Sequence, residues 1–213
     1  MSLLDQLCSI YGVQQEYYTI WGQHHPTSER AKRAILAAMG IAAEDDAATE
    51  ASLLAFERNE WTRLLPPVKV VREFSLPHRI PIQLPAQLEQ AGSRWRLQRE
   101  AGGTEEGAFV PIELEETGRR HLDGQDYVRR TLPLDLALEP GYHRLFVECG
   151  EMRGEMPLIV APQACYTPPA IQGNGRAWGF AAQLYGVRSA HNWGMGDFSD
   201  LKALVDYAAD RGA

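Results

Sequence analysis

The side chains best suited to chemistry stand together in "QLYGVRSAHNWGMGD", residues 183–197. Tyr185 and Trp193 offer flat aromatic faces, and Arg188, Ser189, His191 and Asn192 offer hydrogen-bond donors. Aromatic faces beside groups that read hydroxyls suit a sugar, whose ring has an apolar side. The competing reading is that either aromatic packs within its own loop. Other chemistries fit less well. Gly194, Gly196 and Ser199 in "GMGDFS" approach a dinucleotide fingerprint, but the third glycine is missing. Asp197 would also put negative charge where a pyrophosphate should sit. A tight strand-to-helix loop with a capping aspartate explains the same glycines.

No metal site is expected. His24 and His25 are adjacent, so on a helix they diverge. His78, His121, His143 and His191 show no HxH or HExxH spacing and no acid or cysteine at ligand distance. Neither GxSxG nor a P-loop occurs. "EGAFVPIELEETG" reads as a solvated acidic rim.

The candidate stretch must be held by what flanks it. "AWGFAAQLYGV" is a nearly unbroken apolar run, as in a strand buried on both faces of a parallel sheet. In "DFSDLKALVDYAADRGA", Asp197 caps a helix, Asp200 completes a variant capping box, and Gly212 stops it. Leu201, Leu204, Val205, Ala208 and Ala209 form its stripe. The candidate loop would then lie at the C-terminal end of a barrel strand, where barrel enzymes carry their sites. A buried strand needs parallel neighbours and the helix needs a sheet, and this region supplies only one of each. The expectation is therefore a piece of a longer strand–helix repeat enzyme, cut where a second strand should begin. The alternative is that the unit packs on the preceding domain or dimerises.

Upstream, residues 1–65 read as a helical subdomain. Ser2 and Asp5 make a capping-box start, with Leu3, Leu7 and Tyr11 on one face and Gly12 as stop. Tyr17, Ile20 and Trp21 form a further apolar cluster. A second helix is capped by Thr27 or Ser28, carries the stripe Ala31, Ala34, Ile35, Ala38 and Met39, and ends at Gly40. A third runs from about Thr49 to Leu65, burying Leu53, Leu54, Trp61, Leu64 and Leu65 before Pro66-Pro67. Residues 66–162 change to about seven short alternating runs separated by turns, predicting an Ig-like antiparallel β-sandwich. The runs are "VKVVREF", "RIPIQL", "SRWRLQRE", "AFVPIELE", "YVRRTLPL", "YHRLFVEC" and "MPLIVAP". Tyr142 is either a tyrosine corner, bonding back to upstream backbone, or an ordinary exposed strand tyrosine. Residues 163–176 are a proline- and glycine-rich linker, and 177–213 open the barrel.

Composition narrows the class further. The 21 basic and 28 acidic residues give a net charge of −7, with no basic run, which argues against nucleic acid as partner. Cys8, Cys149 and Cys165 are scattered and odd in number, which favours a reducing compartment over a disulfide framework. The N-terminus lacks the basic region of a signal peptide, and no apolar run approaches the roughly 18 residues that span a bilayer. A cytoplasmic protein without membrane contact is expected.

"RAWGFAAQLYGVRSAHNWGMGDFSDLK" resembles the start of the catalytic barrel in bacterial 4-alpha-glucanotransferases, the amylomaltases or disproportionating enzymes. The resemblance rests on tryptophan-glycine, QLY, RS, NWG, GDF and DLK. "SERAKRAILAAMG", "EPGYHRLFVEC" and "VAPQACYTPP" resemble the N-terminal extension of the longer members, which short members lack. Met195 stands where the family has isoleucine and Ser199 where it has glycine. The resemblance implies transfer of α-1,4-glucan segments between maltodextrins with retention, through a covalent intermediate and with no cofactor. It implies a nucleophilic and an acid/base carboxylate about 5–5.5 Å apart. Both belong to later barrel strands, so no residue here is assigned as catalytic. Tyr185, Arg188, Asn192, Trp193 and Asp197 fall in the family's first strand–helix loop and are the candidate substrate-binding residues, with Asp197 more a cap than a ligand. The alternative is an accessory carbohydrate-binding or subunit-interaction module, in which Trp95 or Tyr127 stacks on glucan or packs in the core.

Overall fold

Ser2 caps helix α1 (Leu3–Ile10) as its spacing predicts: its hydroxyl accepts from the Asp5 amide, and the Asp5 carboxylate accepts from the Ser2 amide. The computed structural model describes residues 1–213, apart from the side chain of Ala170. They form two units, Met1–Gln163 and Ala164–Ala213.

In the first unit, α1 buries Leu4, Leu7 and Cys8, while Leu3 is exposed and Tyr11 only half-buried. Two short strands follow, β1 (Glu16–Tyr18) and β2 (His24–Pro26), paired antiparallel. The expected apolar cluster is not buried here, because Tyr17, Ile20 and Trp21 lie exposed on this hairpin. Ser28 caps α2 (Glu29–Ala38). Its buried face is Lys32 and Leu36, and Ile35 and Met39 of the expected stripe are exposed. An acid decides the rotation. Lys32 Nζ lies 2.7 Å from Asp5 Oδ1, and the lysine stem buries apolar surface on the way. Asp45 caps α3 (Asp46–Trp61), accepting from the Ala48 amide at 2.8 Å. The helix stops four residues short of the predicted Leu65. Leu64 and Leu65 are instead buried in the core of the sandwich, against Gly154.

The sandwich has strands β3 (Lys69–Arg72), β4 (His78–Pro85), β5 (Ser93–Gln98), β6 (Thr104–Phe109), β7 (Glu115–Leu122), β8 (Gln125–Leu134), β9 (Gly141–Cys149) and β10 (Met152–Ala161). One sheet orders β4-β8-β7, and the other β3-β10-β9-β5-β6. Taking β4, β5, β7, β8, β9 and β10 as B, C, D, E, F and G, these orders contain B-E-D and C-F-G, the halves of an immunoglobulin-type sandwich. It is not wholly antiparallel. β3 pairs parallel with β10, with the register Leu158 to Lys69 through Ala161 to Arg72. Alternate residues Ile80, Ile82 and Leu84 of β4 meet Leu145, Val147, Met156 and Leu158 in the core. Each fully buried side chain of this kind contributes about 1.5–3 kcal/mol.

The corner before β9 belongs to histidine rather than tyrosine. Tyr142 is 68% exposed. His143 is buried, with Nε2 2.9 Å from the Glu139 carbonyl and Nδ1 accepting from the Glu100 amide at 3.3 Å. These partners assign the neutral, Nε2-protonated tautomer.

His78 is the other buried imidazole, and neither ring nitrogen has a hydrogen-bond partner. Burial holds its pKa below the ordinary value. The Leu136 and Ser75 backbone, too poorly placed to hydrogen-bond the ring, opposes this only in part. The unfolded chain therefore takes up a proton that the fold resists, so stability falls as pH drops through about 6.5. Urea melts between pH 7 and 5, above the carboxylate range, should show this loss. Its slope should be shallower in His78→Phe.

In the second unit, α4 (Phe198–Ala209) forms with the predicted capping box of Asp197 and Asp200. The predicted strand does not form. Residues 177–187 are irregular, with a single 3-10 turn at Leu184–Gly186, and Trp178, Phe180 and Tyr185 are exposed. A strand is defined by ladder bonds to a neighbour, and none of the described residues of this unit supplies one. The stripe of α4 is likewise open, with Leu201 and Val205 exposed. Among the described residues no helix is long and apolar enough to cross a membrane.

Candidate functional site

The loop before α4 is organised by one carboxylate. Asp200 is buried, and its Oδ2 accepts from Asn192 Nδ2 at 2.8 Å and from the Asp197 amide at 3.0 Å. The Asn192 amide first, then the Asp197 N–H and the Ser189 hydroxyl, hold its pKa below the usual carboxylate value. Asn192 also donates to the Val187 carbonyl at 3.1 Å and accepts from the Gly194 amide at 3.0 Å. Ser189 Oγ accepts from the His191 and Asn192 amides, both at 3.2 Å. Asp197 Oδ1 accepts from the Ser199 and Asp200 amides at 2.8 and 3.2 Å.

This network divides the five predicted residues. Asn192 and Asp197 spend their polar atoms inside the loop and set its shape. Tyr185, Arg188 and Trp193 are exposed, Trp193 almost completely at 99%. The Tyr185 hydroxyl donates to Gln183 Oε1 at 2.7 Å, and the residue is 64% exposed. Among the described residues, no carboxylate lies within ion-pair distance of Arg188. The loop thus presents two exposed aromatic rings and one exposed guanidinium on a hydrogen-bonded backbone. Sequence reasoning found Asp200 only as half of a cap. Its link to Asn192, eight residues upstream, follows no helical or strand period.

The glycines have structural work. Gly196 passes so close to the Leu184 carbonyl oxygen that a Cβ would sit 2.0 Å from it, and Gly194 has φ +88°. Both are positions that a side chain would strain.

The alternative sandwich platforms are less available. Trp95 is half-buried against the core, its indole lying where a Cβ on Gly107 would be. Tyr127 is half-buried beside Gln125. The outer face of the larger sheet does hold a hollow of about 780 Å³ lined by Arg94, Arg96, Phe146, Glu148 and Arg153. Arg94 pairs with Glu148, and Arg96 lies 4.2 Å above the Phe146 ring. Most of its charges are already matched, as on an ordinary wet sheet face. No group of three or more His, Cys, Asp or Glu among the described residues could hold a metal ion.

The two-sheet domain is of a known class: residues 64–162 match the family described as the MalQ N-terminal beta sandwich domain. The particular likeness extends through the loop and α4. The chain is 31% identical to the 4-alpha-glucanotransferase of Mycobacterium bovis across 97% of its own length and 28% of the relative's. A 37% identical stretch of 81 residues matches the 4-alpha-glucanotransferase of Haemophilus influenzae. The crystal structure of amylomaltase from Corynebacterium glutamicum superposes with a TM-score of 0.70 at 27% identity, covering 99% of this chain and 30% of that one. These matches bear out the resemblance to the N-terminal part of an amylomaltase. The chain spans less than a third of the length of the relatives that it matches from end to end.

Proposed function

We propose that the chain forms the N-terminal part of a cytoplasmic 4-alpha-glucanotransferase that moves α-1,4-glucan segments between maltodextrins with retention and without a cofactor. The observation that carries this is similarity over 97% of the chain to proteins of that name, sandwich, linker and loop together. In this reading, residues 177–213 are the first strand–helix unit of a (β/α)8 barrel. The run 177–187 becomes a strand when neighbouring strands satisfy its backbone. Tyr185, Arg188 and Trp193 then meet glucan at the strand's C-terminal end, where barrel sites lie. Their part is positional: aromatic faces take the apolar side of a glucose ring and Arg188 takes hydroxyls. Asn192 and Asp197 hold the backbone from which these side chains project. The reacting carboxylate pair belongs to the part of such an enzyme that this chain does not cover.

The test compares this chain with a full-length enzyme that contains it, both supplied with maltotriose. The longer protein should release glucose and longer maltodextrins, and the chain alone should release neither. Turnover by the chain alone would overturn the placement of the chemistry. An inactive longer protein would overturn the assignment to glucan transfer.

A further inference from the structure

The β1–β2 hairpin carries side chains that the fold of its own unit does not use. Tyr17, Tyr18, Ile20 and Trp21 are 57%, 64%, 89% and 80% exposed, and every residue of both strands is exposed. Large apolar side chains concentrated on one surface element mark a binding surface. This one is built rather than slack. Tyr17 faces His25 and Tyr18 faces His24 across the ribbon. The Tyr17 and His25 rings stack at 5.3 Å and 15°, and those of Tyr18 and His24 lie 5.1 Å apart. His24 is fixed in turn by Glu16, Nε2 to Oε2 2.8 Å. The tip closes through Thr19 and Gln23: the Thr19 amide donates to the Gln23 carbonyl at 2.9 Å, and the Gln23 amide donates to the Thr19 hydroxyl oxygen at 3.1 Å, with Gly22 at φ +77°. Ile20 and Trp21 are thereby held outward at the two central positions of the turn.

The chemistry of the segment selects the occupant. From Val13 to Ser28 the one formally charged side chain is Glu16, in a chain that is 23% charged overall. Without lysine or arginine it has nothing to hold a phosphate, a nucleic acid or an anionic membrane. Ile20 is the one exposed aliphatic side chain of the segment, so its surface is aromatic rather than aliphatic. What remains is three exposed aromatic rings and exposed hydrogen-bonding side chains: Gln14, Gln23 and the two histidines. That is the complement of a neutral, hydroxyl-rich ring with an apolar face. We propose that the hairpin binds linear α-1,4-glucan, with Trp21 as the principal stacking platform and Tyr18, flanked by Glu16 and His24, as the second. The choice of α-glucan rests on the glucan-transfer reading above, whereas the neutral-sugar chemistry is read from the hairpin itself. Tyr18 is held by its contact with His24, so little conformational entropy is lost there when a glucan chain lies across it.

The test titrates the 213-residue chain with maltoheptaose in a calorimeter, with cellohexaose as the control for linkage. Trp21→Ala should weaken maltoheptaose binding about two- to tenfold, the scale of one lost aromatic contact. Tyr18→Ala should weaken it less, and Ile20→Ser should leave it unchanged. All three side chains are exposed, so the variants should melt with wild type. Unchanged affinity in Trp21→Ala would overturn the proposal, as would absence of maltoheptaose binding by the wild-type chain. Light scattering that shows self-association abolished equally by Trp21→Ala and Ile20→Ser would assign the hairpin to a second copy instead. The two readings fail separately. A longer enzyme that transfers glucan while Trp21→Ala binds normally sinks only the hairpin site. Trp21-dependent binding with no transfer by the longer enzyme sinks only the transfer reading.

Discussion

Arg130→Ala should cost about 3–5 kcal/mol of stability, the scale for removing one partner of a buried ion pair. Arg130 shares the inward face of β8 with Val128 and Leu132, yet carries a charge. It pairs with Glu89, at 9% and 11% side-chain exposure, lies 3.0 Å from Glu116, and donates to the Leu114 carbonyl at 2.8 Å. Alanine would leave Glu89 buried with only the 3.4 Å contact to Arg119, and would strip Leu114 of its donor. Urea denaturation of the purified chain measures the difference. A double change, Arg130→Met with Glu89→Leu, should recover most of the loss, because an apolar pair removes the desolvation cost along with the attraction. A cost below about 1 kcal/mol for Arg130→Ala would put the pair in the class of solvated surface bridges.

The second large effect is expected at Gly196. Alanine there brings a methyl group to 2.0 Å from the Leu184 carbonyl oxygen and 2.9 Å from Val187 Cβ. The first is backbone, so the loop must open rather than a side chain rotate. Opening separates Asn192 from Asp200, and with it the group that does most to depress the Asp200 pKa. A carboxyl NMR titration of Gly196→Ala should therefore find Asp200 returned towards the ordinary value of about 3.9. In a longer enzyme with transfer activity the same change should lower kcat/KM about 10²-fold, as displacement of positioning groups by about 1 Å does. Asp200 titrating as in wild type would show that the loop tolerates the methyl group.

Local signals in the sequence were the reliable ones. Ser2 and Asp197 cap their helices as read, and of the two candidates Thr27 and Ser28 it is Ser28 that caps α2, because capping depends on three or four consecutive residues. Apolar stripes were less reliable. The face of α2 turned because Asp5, distant in sequence, draws Lys32 inward. β7 has almost no signature in the sequence. It is an edge strand reading EETGRRHL, with no buried residue and therefore no alternation to see. "AFVPIELE" looked like one strand, but Pro111 starts a 3-10 turn that splits it between β6 and β7. Tyr142 and His143 are adjacent at the same corner, and only burial, which no local pattern reveals, separates them. In the candidate loop the residue types were legible. The division between those that hold the loop and those that project from it was not, because it depends on hydrogen bonds closed around Asp200. The run 177–187 read as a buried strand because its composition answers to neighbours that this unit lacks.

Leu64 and Leu65 bear on how the first unit comes apart. They follow α3 by a few residues yet fill the space over Gly154 inside the sandwich. Just before them, α3 is tied to the neighbouring sheet by Glu57 with Arg120, Glu60 with Arg129, and Trp61 beneath the Arg129 guanidinium at 4.6 Å. The helices and the sandwich therefore share side chains across the seam where composition alone would cut them. Heat should meet a single cooperative transition for residues 1–163 rather than one for each half. A sandwich trimmed to start at Pro66 would begin life with a hole in its core.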